Sequence, residues 1–164
     1  CNRKEKVNAN NNNFYFNRGV EKKNKGDSYG AISDFTKAIE INPQDADAYN
    51  NRGWIKEKLE DYYGAIYDFT KAIEINPQLA YAYYNRGKTK HKLEDYYGAI
   101  SDFTKAIEIN PQDAVLYSDR GITKGIGFKD KKGACDDFKK AASLGYQYRI
   151  NWLETTGGKW CKDM

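Results

Sequence analysis

The sequence contains no long apolar run. No stretch of its 164 residues approaches the roughly 18 consecutive apolar residues that a membrane-spanning helix requires. Histidine is scarce, since His91 is the only one, and no metal-ligand spacing, glycine-rich phosphate loop or nucleophile motif occurs. We therefore predict a protein that is not an enzyme and holds no metal or cofactor, and we expect His91 to be a solvated side chain.

Basic residues do not dominate the chain as a whole. The formal net charge is +4, but residues 1–25 hold seven Lys and Arg against two Glu, which is +5. The rest of the chain therefore sums to −1 (4 − 5). A nucleic-acid-binding protein carries its excess of Lys and Arg along the binding surface, so we predict no nucleic-acid partner.

One tripeptide recurs at a fixed interval. The copies are Asn17-Arg18-Gly19, Asn51-Arg52-Gly53, Asn85-Arg86-Gly87 and Asp119-Arg120-Gly121, and their numbering gives an interval of 34 (51 − 17, 85 − 51 and 119 − 85). Such a period is typical of one supersecondary unit that has been copied and stacked, and stacked units build an extended surface for binding.

The apolar residues of segment 46–79 predict two helices. Helix A begins at Ala46 and ends near residues 60–61, and helix B carries an apolar stripe from Tyr62 to Ile73. Helix B ends before Pro77, because proline lacks an amide hydrogen and restricts the residue before it. Gly53 in helix A predicts a place where the two helices approach closely.

The repeated unit resembles the tetratricopeptide repeat family. The residues that carry the resemblance are Tyr49, Gly53, Tyr62, Ala65, Phe69, Ala72 and Pro77. The resemblance covers about residues 12–145 and implies an all-α superhelix, or solenoid, of four helix-turn-helix repeats. Their expected bounds are 12–45, 46–79, 80–113 and 114–145.

The segments outside the repeats have separate predicted roles. Apolar residues at Tyr146, Ile150 and Leu153 predict a short helix that caps the last repeat, so we assign 146–164 to a capping helix and tail. Residues 1–11 are polar and basic, and we expect them to form a tether.

The first residue of the sequence is Cys1. A chain that begins with Cys resembles a processed bacterial lipoprotein, in which that residue carries lipid and a polar tether follows. The alternative is a trimmed chain whose first residue has no special role. We favour an exported protein that is attached to a membrane surface over a cytoplasmic one.

The other two cysteines lie near the C-terminal end. Cys135 replaces the Ile that stands at Ile32, Ile66 and Ile100, so it is either a small buried apolar residue or one half of a disulfide with Cys161. The disulfide would hold the tail against the cap.

An Arg of helix A recurs at a nearly constant separation from an Asp of helix B. The pairs are Arg18 and Asp34, Arg52 and Asp68, Arg86 and Asp102, and Arg120 and Asp137. The separation is 16 in the first three (34 − 18, 68 − 52 and 102 − 86) and 17 in the last (137 − 120). We interpret them as structural ion pairs that are partly exposed, with contributions of about 0–1 kcal/mol each.

The resemblance implies that helix A lines a concave groove. The candidate peptide-binding residues are Phe16, Asn17, Asn50, Asn51, Trp54, Tyr81, Tyr84, Asn85 and Lys88. Amides in register can bind the backbone of an extended peptide, while aromatic side chains would anchor it. The alternative is that the Asn side chains bond between units and that the aromatic rings pack there. The basic residues with which some family members clamp an acidic chaperone C-terminus are missing from the corresponding positions.

The sequence therefore favours a scaffold for protein–protein interaction that binds an extended peptide or helix of another protein in its groove. The alternative is a fixed subunit or assembly factor of a larger membrane complex, which would dock by its convex face or its ends. Tyr pairs such as Tyr62-Tyr63 keep this alternative open, and the sequence indicates no oligomeric state.

Overall fold

The computed structural model describes residues 3–155 and 158–162. In these residues the chain forms helices joined by short turns, without strands. The helices are α1 (Arg3–Asn24), α2 (Ser28–Ile41), α3 (Ala46–Lys58), α4 (Tyr62–Ile75), α5 (Ala80–Lys92), α6 (Tyr96–Ile109), α7 (Ala114–Gly127), α8 (Lys131–Ser143), α9 (Gln147–Glu154) and α10 (Lys159–Lys162). The predicted all-α class with paired helices is confirmed.

The helices form two compact units that meet in sequence between residues 78 and 79. Unit 1 contains α1 to α4, and unit 2 contains α5 to α10. Inside each unit, helix A packs against the helix B that follows it: α1 on α2 and α3 on α4, then α5 on α6 and α7 on α8. In unit 2, α9 packs on α8.

Helix B begins in the same way in every repeat. An Asp side chain accepts a hydrogen bond from the backbone N–H of a Gly three residues later, which satisfies one of the free donors at the helix start. The pairs are Asp27 and Gly30, Asp61 and Gly64, Asp95 and Gly98, and Asp130 and Gly133. The start of each helix B is thus set by local hydrogen bonding as well as by apolar packing.

The core of each repeat is a buried Phe of helix B against a Gly of helix A. Phe69 is fully buried, and a Cβ atom added to Gly53 would lie 2.9 Å from its Cε1 atom. A side chain at Gly53 would therefore displace the ring or part the two helices.

Two glycines of α7 give a matched pair for testing this packing. A Cβ at Gly121 would lie 2.6 Å from Phe138 Cε1, whereas a Cβ at Gly125 would lie 3.6 Å from Ala134 Cβ, an ordinary contact. We expect Gly121→Ala to lower the free energy of unfolding by about 1–3 kcal/mol. Gly125→Ala should raise it by about 0.5–1 kcal/mol, because alanine is the better helix former. Urea unfolding followed by circular dichroism checks both values, and changes of the same sign would contradict the packing argument.

The extra residue of the fourth repeat lengthens helix A. Helix α7 has 14 residues, whereas α3 and α5 have 13 each. Gly127 is the last residue of α7 and lies against the Tyr96 ring. A Cβ atom built on Gly127 would be 2.5 Å from Tyr96 Cγ. The insertion therefore changes the surface where α7 ends, while the turn into α8 keeps its Asp cap.

The first helix extends further toward the N-terminus than the sequence suggested. Residues 3–11, which we predicted as a tether, are helical and continue into the first repeat as part of α1. Asn12 is buried and its Nδ2 atom donates to Ala38 O at 3.0 Å and to Asp45 Oδ2 at 3.1 Å. Cys1 lies outside the described residues, so its lipid and its use as a membrane anchor stay predictions.

The C-terminal segment forms more structure than a capping helix and a tail. Helix α9 lies where the sequence predicted the cap, and the short α10 follows it. The Trp152 ring lies 5.0 Å from the Phe138 ring and 6.1 Å from the Trp160 ring. Cys135 and Cys161, both fully buried, are joined as a disulfide with their Cα atoms 5.3 Å apart.

The recurring Arg and Asp residues form bidentate pairs in all four repeats. For Arg52 and Asp68, the two N–O distances are 2.9 and 2.7 Å. A Lys four residues after the Arg also contacts the carboxylate, as Lys56 does Asp68 at 2.8 Å. The equivalent lysines are Lys22, Lys90 and Lys124.

The prediction that these pairs are partly exposed is wrong for the carboxylates. Asp34, Asp68, Asp102 and Asp137 are all at most 4 % exposed. Each therefore depends on its two cations to balance a buried negative charge. The hydrogen bond from Arg18 is the main reason why the pKa of Asp34 falls to about 2.

Candidate functional site

In unit 1, the candidate surface lies on α1 and α3 and centres on Trp54. Its indole ring is 39 % exposed. The ammonium groups of Lys23 and Lys58 lie 5.6 and 5.4 Å from the ring centroid, within the range of cation–π attraction. We call this cluster, with Asn17 and Asn51, the unit 1 surface.

The predicted amide ladder is only partly available for a ligand. Asn51 Oδ1 accepts a hydrogen bond from Lys23 Nζ at 2.6 Å, and its Nδ2 donates to Asp47 O at 2.9 Å. An amide has two donor hydrogens and two acceptor lone pairs, so half of the capacity of Asn51 is used within the protein. Asn17 is exposed and has no hydrogen-bond partner among the described residues, and Asn85 is half-buried.

Two of the predicted groove residues of unit 1 belong to the packing instead. Phe16 is half-buried and packs edge-on against Phe35, with ring centroids 5.7 Å apart. Asn50 is only 9 % exposed. We correct the assignment of Asn50, because a buried amide is out of reach of a peptide.

In unit 2, the candidate surface lies on α5 and α7 and contains two cavities. The first has a volume of about 160 Å³ and is lined by Lys88, His91, Lys92, Phe103, Asp119, Ile122 and Thr123. The second, of about 150 Å³, is lined by Ala80, Tyr81, Tyr84, Asn110, Asp113 and Leu116. We call the residues of both cavities the unit 2 surface.

Tyr84 and Asp119 connect α5 to α7 in this surface. The Tyr84 hydroxyl donates to Asp119 Oδ2 at 3.0 Å, and the Tyr84 ring lies 6.0 Å from the Phe103 ring. Burial raises the pKa of both groups above their ordinary values. Tyr84 thus holds the surface together as well as lining a cavity.

The prediction of a solvated His91 is wrong. Its side chain is half-buried, and its Nδ1 atom lies 2.9 Å from Thr123 Oγ1. The Thr123 hydroxyl already donates its hydrogen to Asp119 O at 2.8 Å. Thr123 must therefore accept from His91, so the Nδ1 atom of His91 carries a hydrogen.

Arg149 adds a positive charge to unit 2 from outside the repeats. It comes from α9, is only 5 % exposed, and donates from Nε to Ser118 Oγ at 2.8 Å. Its guanidinium lies 4.1 Å from the centroid of the Phe138 ring, and it forms no ion pair within the described part of the chain. Burial lowers its pKa, and this effect outweighs the opposite influence of Tyr148, Tyr146 and Asp119.

Sequence analysis missed three basic groups of these surfaces. Lys58 and Lys92 occupy the same position at the end of helix A in successive repeats, so the repeat itself could have revealed them. Arg149 lies beyond the last repeat, where no periodic signal exists.

Two kinds of feature are missing from residues 3–155 and 158–162. No group of three or more His, Cys, Asp or Glu side chains there could hold a metal ion. None of the helices in that part of the chain combines the length and the apolar character that crossing a bilayer demands.

Solved structures share this arrangement of helices. The crystal structure of MamA protein has a TM-score of 0.81 at 20 % identity and covers 94 % of this chain and 88 % of its own. MamA 41-end from Desulfovibrio magneticus RS-1 gives 0.78 at 19 % identity, covering 93 % and 90 %. The first TPR of Spaghetti (RPAP3), bound to the HSP90 peptide SRMEEVD, gives 0.69 at 20 % identity, covering 70 % and 91 %. At identities of 19–20 %, the structural similarity shows that these proteins share the fold of this chain.

Sequence comparison identifies the family. No curated protein matches the chain. The family described as Tetratricopeptide repeat matches residues 13–45, 46–79 and 80–113. Its repeats are generally non-enzymatic modules for protein interaction, and TPR domains bind peptides, as the HSP90 peptide complex shows. The chain belongs to the tetratricopeptide repeat family.

Proposed function

We propose that this protein is an interaction scaffold whose helix A surfaces bind an extended segment of a partner protein. The observation that carries the proposal is Trp54, a large aromatic side chain that stays 39 % exposed between two lysines. Exposed aromatic residues with basic neighbours are typical of the residues that dominate binding energy at protein interfaces. The cavities of unit 2 offer further apolar contacts.

The charges of these surfaces favour a partner segment with acidic side chains. Lys23 and Lys58 lie beside Trp54 in unit 1, and Lys88 and Lys92 line the first cavity of unit 2. Carboxylates of the partner would pair with them. The peptide in the RPAP3 complex, SRMEEVD, is also acidic. The basic clamp for an acidic chaperone C-terminus is missing from this chain, so the carboxylates that we propose are side chains within the segment.

The first cavity of unit 2 favours an apolar side chain beside the acidic ones. Phe103 and Ile122 form apolar parts of its wall, and its volume is about 160 Å³. A protein cavity of about 150 Å³ is known to take a benzene ring. The segment that we propose therefore carries one aromatic or branched apolar residue next to its carboxylates.

A second candidate is a fixed subunit or assembly factor that docks by its outer surface. The observation that favours it is an exposed tyrosine near the start of helix B in each of three repeats. Tyr29 and Tyr63 in unit 1 and Tyr97 in unit 2 are each 78 % exposed. Tyrosine is enriched at interfaces, so this surface also offers contacts to a partner.

One experiment separates the two candidates. A photocrosslinking amino acid at position 17, an exposed residue of the unit 1 surface, should capture the partner in native cell extract and leave Trp54 intact, and mass spectrometry should place the crosslink in one segment. We expect Trp54→Ala with Lys88→Ala to weaken binding of that purified segment by about 30-fold or more, the effect typical of residues that dominate an interface. Isothermal titration calorimetry measures the affinity.

The matched control is Tyr29→Ala with Tyr63→Ala, which removes two exposed rings from the outer surface. Binding through the helix A surfaces predicts an unchanged affinity for this variant. If the control loses binding while the Trp54 and Lys88 variant keeps it, the outer-surface candidate is correct and the proposed function is wrong.

A further inference from the structure

The turn between α7 and α8 has a different charge from the equivalent turns before it. The turn of the first repeat reads Gly26-Asp27-Ser28-Tyr29, with a charge of −1, and those of the second and third read Glu60-Asp61-Tyr62-Tyr63 and Glu94-Asp95-Tyr96-Tyr97, with a charge of −2 each. The last reads Lys129-Asp130-Lys131-Lys132, with three Lys and one Asp, a charge of +2. The helix cap is retained, since Asp130 accepts from Gly133 N.

Apolar side chains lie beside these lysines. Ile126 and Phe128 end the lengthened helix α7 and are 58 % and 37 % exposed. The Phe128 ring packs on Tyr97, with centroids 4.3 Å apart, and Tyr97 is itself 78 % exposed. We call Tyr97, Ile126, Phe128, Lys129, Lys131 and Lys132 the α7–α8 patch.

The acidic groups close to the patch in sequence leave it positive. Asp95 and Asp130 are helix caps and accept hydrogen bonds from backbone N–H groups, whose dipoles balance part of their charge. Glu94 and Asp136 are exposed and are not helix caps, so they oppose binding of an anion. Three exposed ammonium groups therefore stand against two carboxylates that are not used as caps.

We propose that the α7–α8 patch binds the surface of an anionic lipid membrane. Tyr and Phe rings favour the interface between headgroups and acyl chains, and Lys side chains can rest on apolar material while their ammonium groups reach lipid phosphates. Ile126, the more exposed of the two residues that end α7, offers no ring on which a base could stack and instead suits the apolar part of a lipid interface. This inference does not depend on the helix A surfaces.

Vesicle co-sedimentation tests the proposal with the purified full chain carrying no lipid. We expect binding to vesicles of phosphatidylcholine with 30 mol% phosphatidylglycerol, little binding to phosphatidylcholine alone, and a decrease with added salt. Each lysine near an anionic surface contributes about fivefold to the partition coefficient. The partition coefficient of the variant Lys129→Asn, Lys131→Ala, Lys132→Ala should therefore fall by about 100-fold. Asn is chosen at position 129 because Lys129 has a φ of 54°, in the left-handed region that Asn adopts more readily than Ala.

Two further variants make the result specific. Glu94→Lys should strengthen binding, because it removes one opposing charge and adds an attractive one. Trp54→Ala with Lys58→Ala should leave vesicle binding unchanged, which separates the patch from the proposed function. Absence of sedimentation with the anionic vesicles overturns the proposal, and so does sedimentation that the triple variant retains.

Discussion

Replacing Asp137 with alanine is expected to lower the free energy of unfolding by about 3–5 kcal/mol, the effect of removing one partner from a buried ion pair. Asp137 is 4 % exposed, and its two oxygens lie 2.7 Å from Arg120 Nη2 and 2.8 Å from Lys124 Nζ. The substitution leaves both cations without a counter-ion between α7 and α8. It also removes the bidentate contact that joins the two helices.

The neighbouring residue provides the control. Asp136 lies on the same helix α8 but is exposed. Asp136→Ala makes the same chemical change one residue away, and we expect the free energy of unfolding to change by no more than about 0.5 kcal/mol. Urea unfolding monitored by circular dichroism gives both values. Similar decreases in the free energy of unfolding for the two variants would show that the buried ion pair does not stabilise the fold more than an exposed Asp does.

The sequence was sufficient to predict the helix pairs and the ion pairs, because both follow from the repeat period. It did not reveal how deeply the carboxylates are buried. Lys56 and its equivalents also recur with that period. Their role was missed because spacing along a chain does not show that a Lys one turn after the Arg reaches the same carboxylate across the helix pair.

The candidate site was harder to predict for a related reason. Helical spacing assigns a residue to one side of a helix, but it does not separate an exposed position from one covered by a neighbouring helix. Trp54 and Asn50 are four residues apart on α3, yet Trp54 is 39 % exposed and Asn50 is 9 % exposed. His91 was predicted as solvated because its contact with Thr123 joins two different repeats.

The end of the chain was the least predictable part, since it lies outside the repeat. Helix α10 and Arg149 have no equivalents in earlier repeats against which they could be compared. Arg149 also shows how this end of the chain differs from the repeats of unit 2. Arg86 and Arg120 are paired with Asp102 and Asp137, whereas Arg149 relies on the Ser118 hydroxyl and the Phe138 ring.

Breaking the link between Cys135 and Cys161 is expected to lower the free energy of unfolding by about 3 kcal/mol. The two residues are 26 apart in sequence. Closing a loop of about this length lowers the conformational entropy of the unfolded chain, which stabilises the folded state by about 2–4 kcal/mol. The disulfide joins α8 to α10, so its loss also frees the segment that carries Trp160 from the cap. Urea unfolding with and without reductant measures the difference.

The variant Cys161→Ala shows whether the effect comes from the disulfide. Reductant should destabilise the wild-type protein and leave the variant unchanged, because the variant has no bond between these positions to reduce. A non-reducing peptide map should join the Cys135 and Cys161 peptides and leave the Cys1 peptide separate. If the map shows both thiols free and reductant has no effect on either protein, Cys135 is a small buried apolar residue in the place of the Ile of earlier repeats. A linked pair would instead favour an oxidising compartment, where such bonds persist, and would agree with the export that the sequence led us to expect.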